Sequence, residues 1–228
     1  MFSFPLLLTI YAGFAHAFEA DHLLAVSNII SQRNNTWSSV KDGIFWGLGH
    51  ASTICAIGIL MILFRVGISE HYFHYFEALV GVMLIALAIY RLLKFFHSNR
   101  IVVHLHPNEH KGTTQHRHLH VHIGKAHEHY HDHSLAYVVG LVHGLAGSGA
   151  LILVVMSQIK GPVDGLTYLM IFGVGCIAGM MLASGLFSIP FSKKIMQART
   201  LQSILVIVST SLCFLYGGKV IYENLIAS

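Results

Sequence analysis

Charge is what this sequence has least of. Asp, Glu, Lys and Arg make up 11% of its 228 residues, where a soluble domain carries about 25%. The few charges are bunched, and long neutral stretches separate them. The net charge of +4 reflects an uneven spread of Lys and Arg between the two sides of the chain and implies no nucleic acid partner. No Gly-x4-Gly-Lys-Ser/Thr phosphate loop is present, so ATP hydrolysis by this chain is not expected. No His-Glu-x-x-His occurs either, which argues against an intramembrane metalloprotease. The three cysteines, Cys55, Cys176 and Cys213, form no close pair and read as small buried residues.

Apolar residues fill the space that charge leaves, at 54% of the chain. About 20 such residues cross the hydrocarbon core of a bilayer. Six stretches qualify, at roughly 5–30, 43–64, 72–96, 134–159, 165–189 and 200–222. The first has no basic start, and its apolar run continues past Glu19, Asp21 and His22, so it reads as a span and not as a cleaved signal. The expected fold is an all-α membrane protein of six transmembrane helices. It divides into a three-helix unit (1–96), a histidine-rich loop (97–133) and a second three-helix unit (134–228).

Lys and Arg set the expected orientation. Arg33, Lys41, Arg91, Lys94, Arg100, Lys111, Arg117, Lys125, Lys193, Lys194 and Arg199 fall on one side, and Arg65, Lys160 and Lys219 on the other. The richer side is expected to face the cytoplasm of a bacterial-type inner membrane. Both termini then lie outside and the histidine-rich loop inside.

The two halves resemble each other. Gly13-Phe-Ala-His16 matches Gly140-Leu-Val-His143, and Ile44-Phe-Trp-Gly-Leu-Gly49 parallels Ile171-Phe-Gly-Val-Gly175. Three spans per repeat is an odd number, so the second repeat is expected to enter the membrane inverted. Inverted repeats with a site at their interface are a transporter architecture.

The densest chemistry lies in His16-Ala-Phe-Glu19-Ala-Asp21-His22. Ionisable side chains are costly at membrane depth and mark function there. Imidazole with carboxylate suits borderline divalent metals such as nickel, cobalt or zinc. On a straight helix His16 would point roughly 140° from Asp21 and roughly 120° from His22. Either the helix opens near Glu19–Ala20, or the ligands serve two successive positions along a path. His50, in the small-residue setting Gly47-Leu-Gly-His-Ala-Ser-Thr53, is the best candidate to complete the shell, and His143, the repeat partner of His16, is next. Ala146 and Ser148 stand where Glu19 and Asp21 would recur, so the second repeat reads more as scaffold and gate.

His16-x4-Asp21-His22 resembles the signature of the nickel/cobalt transporter (NiCoT) family, and Leu48-Gly-His50-Ala-Ser-Thr53 resembles that family's second helix motif. The short length and the segment from Gly140 to Ala150 are most similar to its UreH branch, membrane proteins associated with nickel supply to urease. The resemblance implies metal-site roles for His16, Asp21, His22 and His50. The chain departs from the family in having six spans where full-length members have eight, and in carrying Phe18-Glu19 where the usual run is more acidic.

Eleven histidines lie within 104–133, many at alternate positions. Such tracts bind metal, and near pH 7 many imidazoles are neutral and free to do so. A segment of this kind suits ion buffering or sensing better than a selective pore. The expected function is a non-enzymatic permease carrying Ni2+ or Co2+, with no organic cofactor. Its expected partners are the transported ion, the bilayer and cytoplasmic nickel chaperones. Proton-coupled efflux and metal sensing without transport are the alternatives. A six-span thiol carrier would need cysteines in the first and fourth spans, and neither span has one.

Overall fold

Seven helices and one small β-ribbon make up the computed structural model, which describes residues 4–31, 33, 35–64, 70–98, 102–107, 117–122, 133–158, 161–191 and 199–227. In chain order they are α1 (Phe4–His16), α2 (Ala20–Ile30), α3 (Thr36–Phe64), α4 (Glu70–Ser98), β1 (Val102–Pro107), β2 (Arg117–His122), α5 (Ser134–Gln158), α6 (Pro162–Ser188) and α7 (Arg199–Leu225). Four helices contain a segment long and apolar enough to cross a membrane: Thr36–Met61, Tyr72–His97, Pro162–Ser188 and Ser203–Leu225. Leu6–His16, Ala20–Ile30 and Ser134–Ala146 are shorter apolar helices. The chain is a multi-pass membrane protein.

Hydrocarbon offers no partner to a bare peptide group, so each span must satisfy its backbone within a helix. Buried or lipid-facing hydroxyls follow the same rule. Ser52 donates to the Leu48 carbonyl at 2.6 Å and Thr167 to the Val163 carbonyl at 2.8 Å. Pro162 opens α6 in the first turn, where its missing N–H leaves no gap. Large apolar side chains such as Tyr11, Leu60, Leu93, Val174 and Leu215 cover the outer surface.

Two features refine the sequence reading. Of the two arrangements open to the first expected span, the helix break is the one found: α1 and α2 are separated by residues 17–19. Described residues of the histidine-rich segment form a β-ribbon. β1 and β2 pair antiparallel, with His104 opposite His120 and His106 opposite His118, so the chain is not purely α-helical.

Small residues set how the helices meet. A Cβ on Gly13 of α1 would strike the Phe172 carbonyl and crowd the Cys176 N–H on α6. A Cβ on Gly140 of α5 would do the same to the Trp46 carbonyl and the His50 N–H on α3. The reverse contacts also match. Gly175 faces Ile10 and Phe14 on α1, and Gly49 faces Tyr137 and Leu141 on α5. Between α4 and α7, Gly81 and Gly217 each approach the other's carbonyl, with 2.7 Å left for a Cβ. Backbones this close leave room only for glycine. The pairs α1–α6 and α3–α5 thus repeat one pattern, in which Gly13 corresponds to Gly140, Trp46 to Phe172 and His50 to Cys176.

A buried cation holds the end of the short helix α2. Arg91 of α4 is 5% exposed. Its Nε donates to Ser31 Oγ at 2.7 Å, and Nη2 donates to the Ser31 carbonyl at 3.0 Å. Ser31 follows the last residue of α2, where unpaired carbonyls favour positive charge. Arg91→Ala is expected to destabilise the fold by about 2–3 kcal/mol, the cost of leaving such groups buried and unpaired. Thermal unfolding in detergent measures this. Arg91→Lys should recover only part of the loss, because one ammonium cannot reproduce the forked contact.

At the same end of the bundle, Asp42 of α3 is 1% exposed. It accepts from Arg33 Nε at 2.5 Å and Nη2 at 2.7 Å, and it lies 2.6 Å from His133 Nδ1. His133 also stacks on Phe45, with ring centroids 5.2 Å apart. The connection after α2 and the end of the histidine-rich segment therefore meet at one point.

Candidate metal centre

The break between α1 and α2 builds the site. His16 is the last residue of α1, and Asp21 and His22 lie in the first turn of α2. The intervening turn is tight: the Phe18 N–H donates to the Ala15 carbonyl at 2.9 Å and the Glu19 N–H to the His16 carbonyl at 3.0 Å. Glu19 then turns extended (φ −67°, ψ 157°), and α2 resumes with the Leu23 N–H on the Glu19 carbonyl at 3.0 Å. This bend removes the angular conflict of a straight helix. The His16 and His22 rings come to 4.6 Å between centroids.

Each of these two histidines is oriented by a carboxylate. Asp21 Oδ1 accepts the His22 backbone N–H at 2.8 Å and lies 2.9 Å from His22 Nδ1. Glu19 Oε1 lies 2.9 Å from His16 Nδ1. An ionised carboxylate only accepts, so in each pair Nδ1 carries the hydrogen. The lone pair is then left on Nε2, the atom open to a metal ion. His16 Nε2 and His22 Nε2 are buried with no hydrogen-bond partner.

His50 of α3 and His143 of α5 complete the cluster. Both are buried, and among the described residues neither ring nitrogen of either makes a hydrogen bond of ordinary geometry. His50 lies 5.4 Å from His16 and 5.3 Å from His22, and His143 lies 4.5 Å from His22, all between ring centroids. The 3.6 Å from His143 Nε2 to Asp21 Oδ2 is too long for a hydrogen bond. Ligand atoms of His16, His22 and His50 lie within 4.8 Å of one another, and so do those of Asp21, His22 and His143. Burying this many imidazole nitrogens without partners costs stability unless something else binds them. A divalent ion bonded at about 2.0–2.1 Å would satisfy one nitrogen of each ring that holds it.

Five of the six residues expected from the sequence therefore converge: His16, Asp21, His22, His50 and His143. Glu19 does not join either ligand group. Its side chain is 58% exposed, and it acts on the cluster through His16. His143, expected as the next candidate after His50, stands as close to His22 as His16 does.

Two aromatic walls escaped the sequence reading. Trp46 stacks on His22 at 5.5 Å and lies 5.5 Å from His143, and Phe172 lies 5.7 Å from His16. Each sits one helical turn before His50 or its counterpart Cys176. That i, i+4 spacing places them on the same helix face and was the available signal.

Known proteins match most of the chain. Residues 12–217 match the family model of the cytochrome c biogenesis protein transmembrane region. The chain belongs to this family. It is also 34% identical to the urease accessory protein UreH of Bacillus sp. (strain TB-90), over 79% of this chain and 74% of that protein. No solved structure matches. The sequence motifs pointed to the nickel/cobalt transporter family. The UreH likeness carries part of that expectation, whereas the matching family model is a different one. Neither match is named as an enzyme.

Proposed function

We propose that this protein is a permease that moves Ni2+ or Co2+ across a bacterial-type inner membrane through the His16, Asp21, His22, His50 and His143 cluster. The observation that carries the reading is the convergence of four imidazoles, each with a buried ring nitrogen that lacks a hydrogen-bond partner among the described residues. Nitrogen donors with one carboxylate suit nickel and cobalt better than alkali ions or magnesium. The likeness to a urease accessory protein accords with nickel as cargo for a metal enzyme such as urease.

The matching glycine contacts support six spans arranged as two inverted three-helix repeats, with the cluster where the repeats meet. Under the lysine and arginine distribution, the Asp42 end of the bundle faces the cytoplasm, together with the histidine-rich segment. Uptake then needs no nucleotide. A dication gains about 4.6 kcal/mol per 100 mV of membrane potential, roughly a thousandfold accumulation.

A six-span thiol carrier is the reading weighed against this one. Here Cys55, Cys176 and Cys213 lie on α3, α6 and α7 and are free. α1 and α5 present His16 and His143 in place of the cysteine pair such a carrier needs.

The deciding experiment is radiolabelled nickel flux in vesicles of defined orientation at an imposed potential. Inward flux that rises with an inside-negative potential supports uptake. Outward flux coupled to protons would make the protein an exporter, and metal binding without flux would make it a sensor.

The histidine-rich segment is expected to be dispensable for flux. Serine at the ten histidines from 104 to 131, with His133 kept for its contact with Asp42, should leave flux measurable while metal binding by the protein falls. Loss of flux in a folded variant would place the segment in the path itself.

A further inference from the structure

We infer that the cluster holds two ion positions, used one at a time, with His22 as a ligand to both. The inference rests on the permease reading and specifies how the ion advances. Among the described residues two three-residue groups meet the distance requirement, His16–His22–His50 and Asp21–His22–His143, and they share His22. The groups differ in chemistry. The first offers three imidazoles, the second two imidazoles and a carboxylate, so both bind borderline dications and neither suits a hard ion strongly.

The groups also differ in origin. His16 and His50 both come from the first half of the chain, whereas the second group recruits His143 on α5. The aromatic rings mark the same division. Phe172 stands against His16, whereas Trp46 stands against His22 and His143. The close packing of α5 on α3 through Gly140 and Gly144 fixes His143 relative to His50.

Sharing one residue has two consequences. With Nδ1 of His22 held by Asp21, both positions draw on the single lone pair of Nε2, so they are not occupied at the same time. An ion can also pass from one group to the other without ever losing its bond to the His22 side chain. It exchanges His16 and His50 for Asp21 and His143, and never becomes a bare ion in a dry site.

The test uses the full chain with serine at the ten loop histidines from 104 to 131, so that binding reports on the membrane cluster. Nickel stoichiometry is measured by equilibrium dialysis in detergent, and flux is measured in proteoliposomes. The parent is expected to bind one equivalent. His50→Ala and His143→Ala should each still bind one equivalent, because one group survives intact, while flux falls at least about tenfold. His22→Ala and the double variant His50→Ala/His143→Ala should lose binding. Asparagine at 50 and 143, together with size-exclusion profiles, separates ligand loss from misfolding. Two equivalents in the parent would overturn the proposal in favour of independent sites. Loss of binding in both single variants would overturn it in favour of one shell of five ligands. Unchanged flux in His143→Ala would remove the second position. No binding by the parent would remove the metal reading itself, and this inference with it.

Discussion

In proteoliposomes, His22→Ala is expected to reduce nickel accumulation to the level of protein-free vesicles while the protein stays inserted and monodisperse. His22 is buried, its ring lies within 5.5 Å of His16, His50, His143 and Trp46, and its Nε2 has no partner. No other side chain touches every part of the cluster. His16→Ala and Asp21→Ala are also expected to abolish uptake, by removing a ligand and, for Asp21, the group that orients His22. Asp21→Asn is milder. The amide keeps the shape and loses the charge, and a change of this kind to an orienting partner costs about 10–100-fold. His74→Ala is the control. That histidine is exposed on α4, 2.9 Å from Asn224, and should leave flux unchanged. Normal accumulation in any two of the His16, Asp21 and His22 variants would sink the site. Their insertion is expected to be preserved because the helix contacts depend on the glycines and not on these side chains.

Gly140→Val is expected to remove folded protein from the membrane altogether. A Cβ there meets the Trp46 carbonyl and, at 3.0 Å, the His50 N–H. Both are backbone atoms of α3 and cannot rotate away. The helices would have to separate, and the loss should exceed the 1–3 kcal/mol typical of overpacked cores. Gly140→Ala should already lower the unfolding temperature. Gly13→Val, which meets α6 in the same way, should match it. Gly218→Ala offers the contrast, because nothing lies within 4 Å of that position. It should be neutral, or stabilising by up to about 1 kcal/mol through helix propensity. Equal expression and unfolding temperature for Gly140→Val and the parent would mean that α3 and α5 do not meet as described. If the Ala variant inserts but binds no nickel, the reason lies in His50, whose own turn would be displaced.

Much of this was legible in the sequence because membrane chemistry leaves few options. Scarce charge marked the apolar helices, and four of them appear with similar limits. The angular conflict within His16–His22 required either a break or two positions, and the break lies at 17–19. Other features depend on tertiary contacts that no local pattern encodes. The pairing of β1 with β2 is one. The burial of Arg91 against Ser31 is another, since an arginine near a helix end reads from sequence as a surface charge. His133 reads as the last member of a metal-binding tract, yet it is bound to Asp42, 91 residues away. The counterpart of His50 proved to be Cys176, because matching by sequence alone left the second helices of the two halves without a fixed register. The reciprocal contacts supply that register.

Because His133 is bound to Asp42, the histidine-rich segment is tethered at the mouth of the helix bundle, beside Phe45 and Arg33. For an ion carried on these histidines, the concentration that governs exchange at the mouth is the local one set by the tether. Short tethers of this kind give effective concentrations in the millimolar range, far above any free level of a transition metal in a cell. The rate of exchange at that face would then follow the occupancy of the segment and become nearly independent of free ion in the surrounding solution, whichever way the ions move.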